Sequence, residues 1–108
     1  MTDLADRECE TGASRLDDER VAELSAQLGS GWSVSGGKLT KTFAFDDFVT
    51  ALAYVNRVGA LAEEQNHHPD IELSWGKVGL TIWTHDAGAL TENDFIWCAK
   101  AERLNART

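Results

Sequence analysis

The sequence lacks a long apolar run and contains few cysteines. None of its apolar stretches approaches the roughly 20 residues that a membrane-spanning helix requires. The N-terminus is acidic and lacks the basic start and apolar centre of a secretory signal. Cys9 and Cys98 lie far apart, which is not the spacing of a disulfide framework. These features predict a cytoplasmic protein with reduced thiols and no membrane contact.

The sequence also lacks an excess of basic residues. Asp and Glu number 18 against 10 Lys and Arg, so the formal net charge is -8. Such a surface repels nucleic-acid phosphates, which argues against direct nucleic-acid binding but leaves a protein partner open. A length of 108 residues is that of one domain.

The N-terminal part of the chain divides into two regions. Residues 1–13 have little apolar content and no periodicity, which predicts a disordered acidic tail, whereas residues 14–108 are expected to form a single domain. Ser14 and Asp17 resemble a capping box, and Gly29 is a typical helix stop. The first helix is therefore predicted to begin near Ser14 and to end before Gly29.

Two stretches of alternating apolar residues predict β-hairpins. The first hairpin is expected to turn at Gly36–Gly37 and the second at Gly76–Lys77. Apolar residues on the second face of the fourth strand are few: Gly79 and Thr81 precede Trp83, and His85 follows. This face fits a lined concavity and an ordinary solvated sheet surface equally well.

Two further helices follow from helical periodicity. The longer one is expected to begin after Asp46 or Asp47, to end near Gln65, and to bury a stripe of five side chains. These are Phe48, Leu52, Val55, Val58 and Ala62. Thr91 and Asp94 form another capping box, which predicts the start of the last helix. The order α-β-β-α-β-β-α predicts an α+β fold, a four-stranded antiparallel sheet with three helices packed on one face.

The stretch EEQNHHPD, residues 63–70, contains two of the three histidines. Glu63 lies four residues before His67, so on a helix its carboxylate could accept a hydrogen bond from the imidazole. That pairing suits acid/base chemistry, although the spacing alone fits a solvated helix end better. A zinc site is less favoured, because the neighbours His67 and His68 do not share one side of a helix or strand. Neither cysteine lies in a context that would activate a nucleophile.

Several motifs follow one another in order along the chain: Trp32, KLTKTFAFDDF, Glu63 with HHP at 67–69, Trp75, TH at 84–85 and LTENDF from Leu90. This ordered set resembles the pterin-4a-carbinolamine dehydratases, a family that also contains the dimerisation cofactor of a homeodomain transcription factor. The similarity spans roughly Leu16 to Leu104.

The resemblance implies an enzyme that dehydrates 4a-hydroxytetrahydropterin to quinonoid dihydropterin, which allows the pterin to be recycled. It implies no metal and no bound cofactor. It further implies the same sheet with three helices on one side, and self-association to a dimer or tetramer. Some relatives bind or assemble other proteins, so a non-catalytic protein-binding module is the alternative function.

The resemblance also implies roles for individual residues. By position, His67 and His85 match the acid/base groups, and Glu63 matches the carboxylate partnered with His67. Other residues are expected to bind the pterin: His68, Trp32, Pro69, Trp83 and Thr84. The sequence departs from the usual pattern at Ala89, where a glycine is common, and at Trp83, where many members have a smaller residue.

Overall fold

The computed structural model describes residues 3–29 and 31–106. Its helices are α1 (Asp18–Leu28), α2 (Phe48–Gln65) and α3 (Glu92–Ala106). Its strands are β1 (Ser33–Ser35), β2 (Lys38–Ala44), β3 (Asp70–Ser74) and β4 (Lys77–Ile82). The predicted order α-β-β-α-β-β-α is confirmed. Within the described residues, no helix is both long enough and apolar enough to cross a membrane.

The strands form one antiparallel sheet in the order β1-β2-β4-β3. Side chains of β4 alternate, because Val78, Leu80 and Ile82 are fully buried while Gly79 and Thr81 are only partly covered. The buried face packs under the helices, as the apolar alternation predicts. The α+β fold with helices on one face is thereby confirmed.

Helix α2 supplies much of the core, through a face that includes Val58 and Ala62 of the predicted stripe but differs from it in the first turns. Its buried side chains include Ala51, Tyr54 and Val58, whereas Phe48 and Leu52 remain 41% and 40% exposed. Burial of Tyr54 is possible because its hydroxyl donates to the Ala101 carbonyl oxygen at 2.8 Å. The predicted stripe was therefore wrong at Phe48 and Leu52, because the first turns of α2 bury Ala51 and Tyr54 instead.

The starts of α1 and α2 confirm one predicted cap and correct another. Asp47 caps α2 by accepting a hydrogen bond from the Thr50 amide at 2.9 Å, as one of the two predicted alternatives. The prediction that α1 starts near Ser14 was wrong, since Asp17 is its cap. Leu16, just before this cap, is bound instead to the loop between β4 and α3, where its amide donates to the Leu90 carbonyl oxygen.

The described part of the N-terminal segment is packed on the domain, which differs from the expected disorder. Leu4 inserts into the core. The backbone of Cys9 and Glu10 is bound by the amide side chains of Gln65 and Asn93. These partners lie more than 50 positions away, so the composition of residues 1–13 could not reveal them. Residues 1 and 2 lie outside the described part of the chain.

The cap of α2 leads to a prediction about stability and pH. The Thr50 side chain, donating to Asp47, holds the pKa of that carboxyl below its ordinary value of 3.8. Because folding lowers the pKa of Asp47, the stabilisation that its carboxylate gives is fully present above the ordinary value of 3.8. That stabilisation is lost as the pH falls through the lower pKa of the folded protein. Asp47→Ala is expected to lower the urea midpoint at pH 7, and the difference from the parent protein should shrink near pH 3. The exposed neighbour Asp46, varied to Ala, is the control, and an equal loss there would contradict the capping role.

Candidate active site

After the C-terminus of α2, the side chains of the adjacent His67 and His68 point in different directions. Asn66 adopts a left-handed conformation, with φ 50° and ψ 43°. Its amide donates to the Glu63 carbonyl oxygen at 3.3 Å, and the His67 amide donates to the Ala62 carbonyl oxygen at 3.1 Å. This is a Schellman motif, and asparagine is one of the few non-glycine residues that tolerate its left-handed position. His67 therefore leaves the helix before its side chain could join the helical face of Glu63.

His67 pairs with the buried carboxylate of Asp94, at the start of α3. The distance from His67 Nε2 to Asp94 Oδ1 is 2.6 Å, and Asp94 is 0% exposed. The other carboxylate oxygen, Oδ2, accepts hydrogen bonds at 2.9 Å from the Thr84 hydroxyl and from the Thr91 amide. Because a carboxylate only accepts, the Asp94 contact assigns the proton of the neutral His67 ring to Nε2.

His68, not His67, is the partner of Glu63. His68 Nε2 lies 2.5 Å from Glu63 Oε2, and the two side chains are 54% and 79% exposed. The expected pairing of Glu63 with His67 was therefore wrong, because α2 ends at Gln65, two residues before His67. A pair this exposed contributes little to stability.

Trp83 and His85 stack at the end of β4. Their ring centroids are 4.4 Å apart with an interplanar angle of 28°, and Lys38 Nζ lies 4.1 Å from the Trp83 centroid. The loop that follows closes through the Thr84 amide, which donates to the Ala89 carbonyl oxygen at 3.1 Å. The left-handed φ of 62° falls on Gly88, so the methyl group of Ala89 is accommodated without backbone strain.

A depression of about 190 Å³ brings the three histidines together at one end of the sheet. Its lining consists of Asn66, His67, His68, Trp83, Thr84, His85 and Asp86. The site lies where α2 and β4 end rather than over the middle of the open sheet face. In the middle of that face, the hydroxyl groups of Thr40 and Thr81 are hydrogen-bonded to each other at 3.2 Å.

Three of the predicted site residues do not line this depression: Trp32, Pro69 and Glu63. Trp32 packs edge-on against Phe43 with centroids 5.8 Å apart, and its indole Nε1 donates to Glu102 Oε1 at 2.9 Å. Glu102 also pairs with Lys41. Trp32 thus belongs to the contact between β2 and α3. Its place before a predicted hairpin could not distinguish that contact from a pocket wall.

The described side chains do not present a metal-binding cluster or an activated thiol. No group of three or more His, Cys, Asp or Glu residues is arranged to hold a metal among residues 3–29 and 31–106. Burial raises the pKa of the Cys9 thiol to about 11, and burial also raises the pKa of Cys98. Both thiols are therefore poor nucleophiles near neutral pH.

Sequence reasoning missed three residues of the site: Asp94, Asn66 and Asp86. Asp94 was predicted to form a capping box with Thr91, and the Thr91 amide does donate a hydrogen bond to the Asp94 carboxylate. Its second partner, His67, depends on how α2 packs against α3, for which the sequence holds no local signal. Asn66 carried a usable signal, because an asparagine at a predicted helix end is typical of a left-handed cap.

The chain is similar to known proteins of one family. The family model for pterin 4 alpha carbinolamine dehydratase matches residues 14–104. A protein of Rubrobacter xylanophilus, provisionally named a pterin-4-alpha-carbinolamine dehydratase, is 46% identical over 96% of this chain and 100% of its own length. A Rickettsia canadensis protein with the same provisional name is 42% identical over 94% of this chain and 97% of its own.

Two solved structures are similar as well. One is the crystal structure of a transcriptional coactivator/pterin dehydratase from Brucella melitensis, with a TM-score of 0.79, 30% identity, and coverage of 84% of this chain and 98% of that one. The other is a pterin dehydratase-like protein identified as a RuBisCO assembly factor in the alpha-carboxysome. Its TM-score is 0.62 at 25% identity, over 71% of this chain and 92% of that one. With a family model that covers most of its length and relatives above 40% identity, this chain belongs to the pterin 4 alpha carbinolamine dehydratase family.

Proposed function

We propose that this protein dehydrates 4a-hydroxytetrahydropterin to quinonoid dihydropterin, with His67 and His85 as the acid/base groups. The observation that carries the proposal is the bond between His67 and the buried Asp94, at the wall of a depression that also contains His85. Family membership supports the substrate class, and the geometry supports the division of roles between the histidines.

The reaction needs one proton acceptor and one proton donor. The hydroxyl group at C4a leaves as water after receiving a proton, N5 loses its proton, and a double bond forms between C4a and N5. With Nε2 of His67 donating to Asp94, Nδ1 carries the lone pair that can take the N5 proton. Asp94 touches neither reacting atom, so it acts as a positioning residue that fixes the ring and its tautomer.

His85 is suited to be the proton donor. It is exposed to solvent, and its ring stacks on Trp83, which limits its orientation. Within the described part of the chain, its two ring nitrogens have no hydrogen-bond partner. The ring can therefore take a proton from water and deliver it to the departing hydroxyl group. Water then restores both histidines for the next turnover.

The remaining predicted residues have different parts in this proposal. His68 holds the pterin and is itself oriented by Glu63, while Trp83 supplies an aromatic surface beside the ring. Thr84 acts through Asp94, since its hydroxyl donates to that carboxylate. Trp32 is assigned no contact with the substrate, because its indole group is bound to Glu102.

Replacing the histidines is the direct test. His67→Ala and His85→Ala are each expected to reduce kcat about a hundred- to ten-thousandfold, the usual contribution of general acid/base catalysis. His68→Ala should mainly raise KM. The measurement is the dehydration of enzymatically generated 4a-hydroxytetrahydropterin, with a chelator present and no metal added. Full activity in the double variant without His67 and His85 would refute the assignment.

Asp94→Asn tests the tautomer of His67. The amide nitrogen of Asn can donate to Nε2, which moves the ring proton to Nδ1 and removes the base from the reacting side. We expect kcat to fall at least about a hundredfold with little change in KM, and nitrogen NMR shifts of His67 should report the exchanged tautomer. Glu63→Gln, which alters the exposed His68 pair, is the matched control. An unchanged kcat in a folded Asp94→Asn protein would contradict the positioning role.

Self-association, or the binding of another protein, is the second function that a specific observation favours. Phe48, Val49 and Leu52 are adjacent on the first turns of α2, and Val49 is 74% exposed. Neighbouring apolar side chains on a helix surface are typical of a protein interface. The alternative of a non-catalytic binding module would use the same surface without requiring the histidines.

Val49→Lys is expected to shift the protein toward a smaller species in analytical ultracentrifugation, because a charge in an apolar interface is costly. The dehydration rate per folded protomer should change little, since Val49 is not part of the depression. Ala26→Lys adds the same charge at an exposed position of α1 and serves as the control. An unchanged sedimentation profile for Val49→Lys would remove this face from consideration.

A further inference from the structure

The N-terminal segment is attached along α3 by its first residues. The Lys100 ammonium group donates to the Ala5 carbonyl oxygen at 2.9 Å, and the Arg103 guanidinium group pairs with the Asp6 carboxylate at 2.8 Å. Leu4 adds an apolar anchor, since its side chain is buried in the core. This part of the segment is therefore fixed to one helix.

Two buried amide side chains, one from each of two helices, bind the next part of the segment. On α3, Asn93 accepts from the Glu10 amide at 2.8 Å and donates to the Glu10 carbonyl oxygen at 2.6 Å. On α2, Gln65 accepts from the Cys9 amide at 2.9 Å, and its Nε2 donates to the Glu8 carboxylate at 2.6 Å. Because Cys9 and Glu10 are consecutive, their backbone joins the end of α2 to the start of α3.

This connection lies beside the bond between His67 and Asp94. Gln65 is the last residue of α2 and precedes His67 by two positions. Asn93 is the neighbour of Asp94 in the first turn of α3. The gap between the two helix ends is therefore crossed twice, once by the N-terminal backbone and once by the histidine and its carboxylate.

The spacing of the two helix ends is not fixed by the contact between the middles of α2 and α3. There, the Tyr54 hydroxyl donates to the Ala101 carbonyl oxygen. Ala101 lies seven positions from Asp94 in the sequence, which corresponds to about 10 Å along the helix axis. A hydrogen bond weakens steeply when its atoms separate or its angle bends. The bond of 2.6 Å from His67 to Asp94 therefore depends on contacts near the helix ends.

We propose that Gln65 is a positioning residue for the bond between His67 and Asp94. By binding the N-terminal segment, which is fixed to α3, its side chain holds the end of α2 at the spacing that this bond requires. Gln65 is not part of the lining of the three-histidine depression, so it acts only through the position of the helix end. Its effect on kcat rests on the proposed function, whereas its effect on the tautomer of His67 does not.

The test replaces Gln65 with methionine, which has an unbranched side chain of similar length but lacks the amide group. We expect the Cys9 amide of Gln65→Met to exchange its hydrogen faster than in the parent protein. Nitrogen NMR should show that part of the His67 population moves its ring proton from Nε2 to Nδ1, because the bond to Asp94 is weakened. We expect kcat to fall about ten- to a hundredfold with little change in KM, within the loss that a displacement of about 1 Å can cause.

Asn93→Leu removes the attachment on the other helix and tests whether both side chains act through one segment. Either substitution alone breaks the connection, so the double variant should lose little more kcat than the single variants, whereas independent effects would multiply. Leu28→Ala is the control, because it lowers stability by removing a core contact of α1 without touching the segment. At a temperature where every variant is folded, its His67 signal should match that of the parent protein.

Three results would overturn the inference: a folded Gln65→Met protein with the parent His67 tautomer, unchanged exchange of its Cys9 amide, or losses of kcat that multiply in the double variant. A fourth result separates the inference from the proposed function. If the tautomer of His67 changes while kcat does not, Gln65 keeps its positioning role and His67 is not the base of the reaction.

Discussion

The carboxylate of Asp94 is the interaction on which the arrangement of the site depends. It lies in the first turn of α3, where the helix dipole favours negative charge, and it is fully buried. Its oxygens bind His67, Thr84 and Thr91, which belong to the end of α2, the end of the sheet and the start of α3. A buried carboxylate requires such partners, because removing one of them leaves a buried charge with an unmade hydrogen bond, which costs about 1 to 3 kcal/mol. The same group therefore holds three elements together and orients the ring of His67.

The site is built from a rigid part and an exposed part. His67 is held by buried hydrogen bonds, while His85 is solvent-exposed and is held by a stacking contact with Trp83. This difference suits a reaction in which one group must keep a defined tautomer and the other must exchange protons with water. The two adjacent histidines differ in the same way, since His68 relies on an exposed carboxylate and His67 on a buried one.

Much of the fold could be predicted from the sequence, since periodicity, glycine turns and capping residues are local signals. They identified α2, both hairpins, and Asp47 as one of two possible caps. The second hairpin turn was placed one residue too late, since Ser74 pairs with Lys77 and Trp75–Gly76 form the turn. The contacts that could not be predicted are those between distant parts of the chain. Gln65 and Asn93 bind the N-terminal backbone, and Asp94 binds His67, across 27 positions or more. The wrong partner for Glu63 has a different origin. The four-residue helical spacing was applied from Glu63 to His67, although α2 ends before His67, at the left-handed Asn66.

The left-handed conformation of a single residue, Asn66, determines which of the two histidines reaches Asp94. Were the helix to continue by one more residue, every position after it would rotate by about 100° around the axis. Asp94 would then face a neighbour of the imidazole that it now binds. Because positions 67 and 68 are both histidine, such a slip would keep a histidine at each position while exchanging a buried ring for an exposed one. Insertions and deletions in this short turn are consequently far more damaging to the chemistry than to folding.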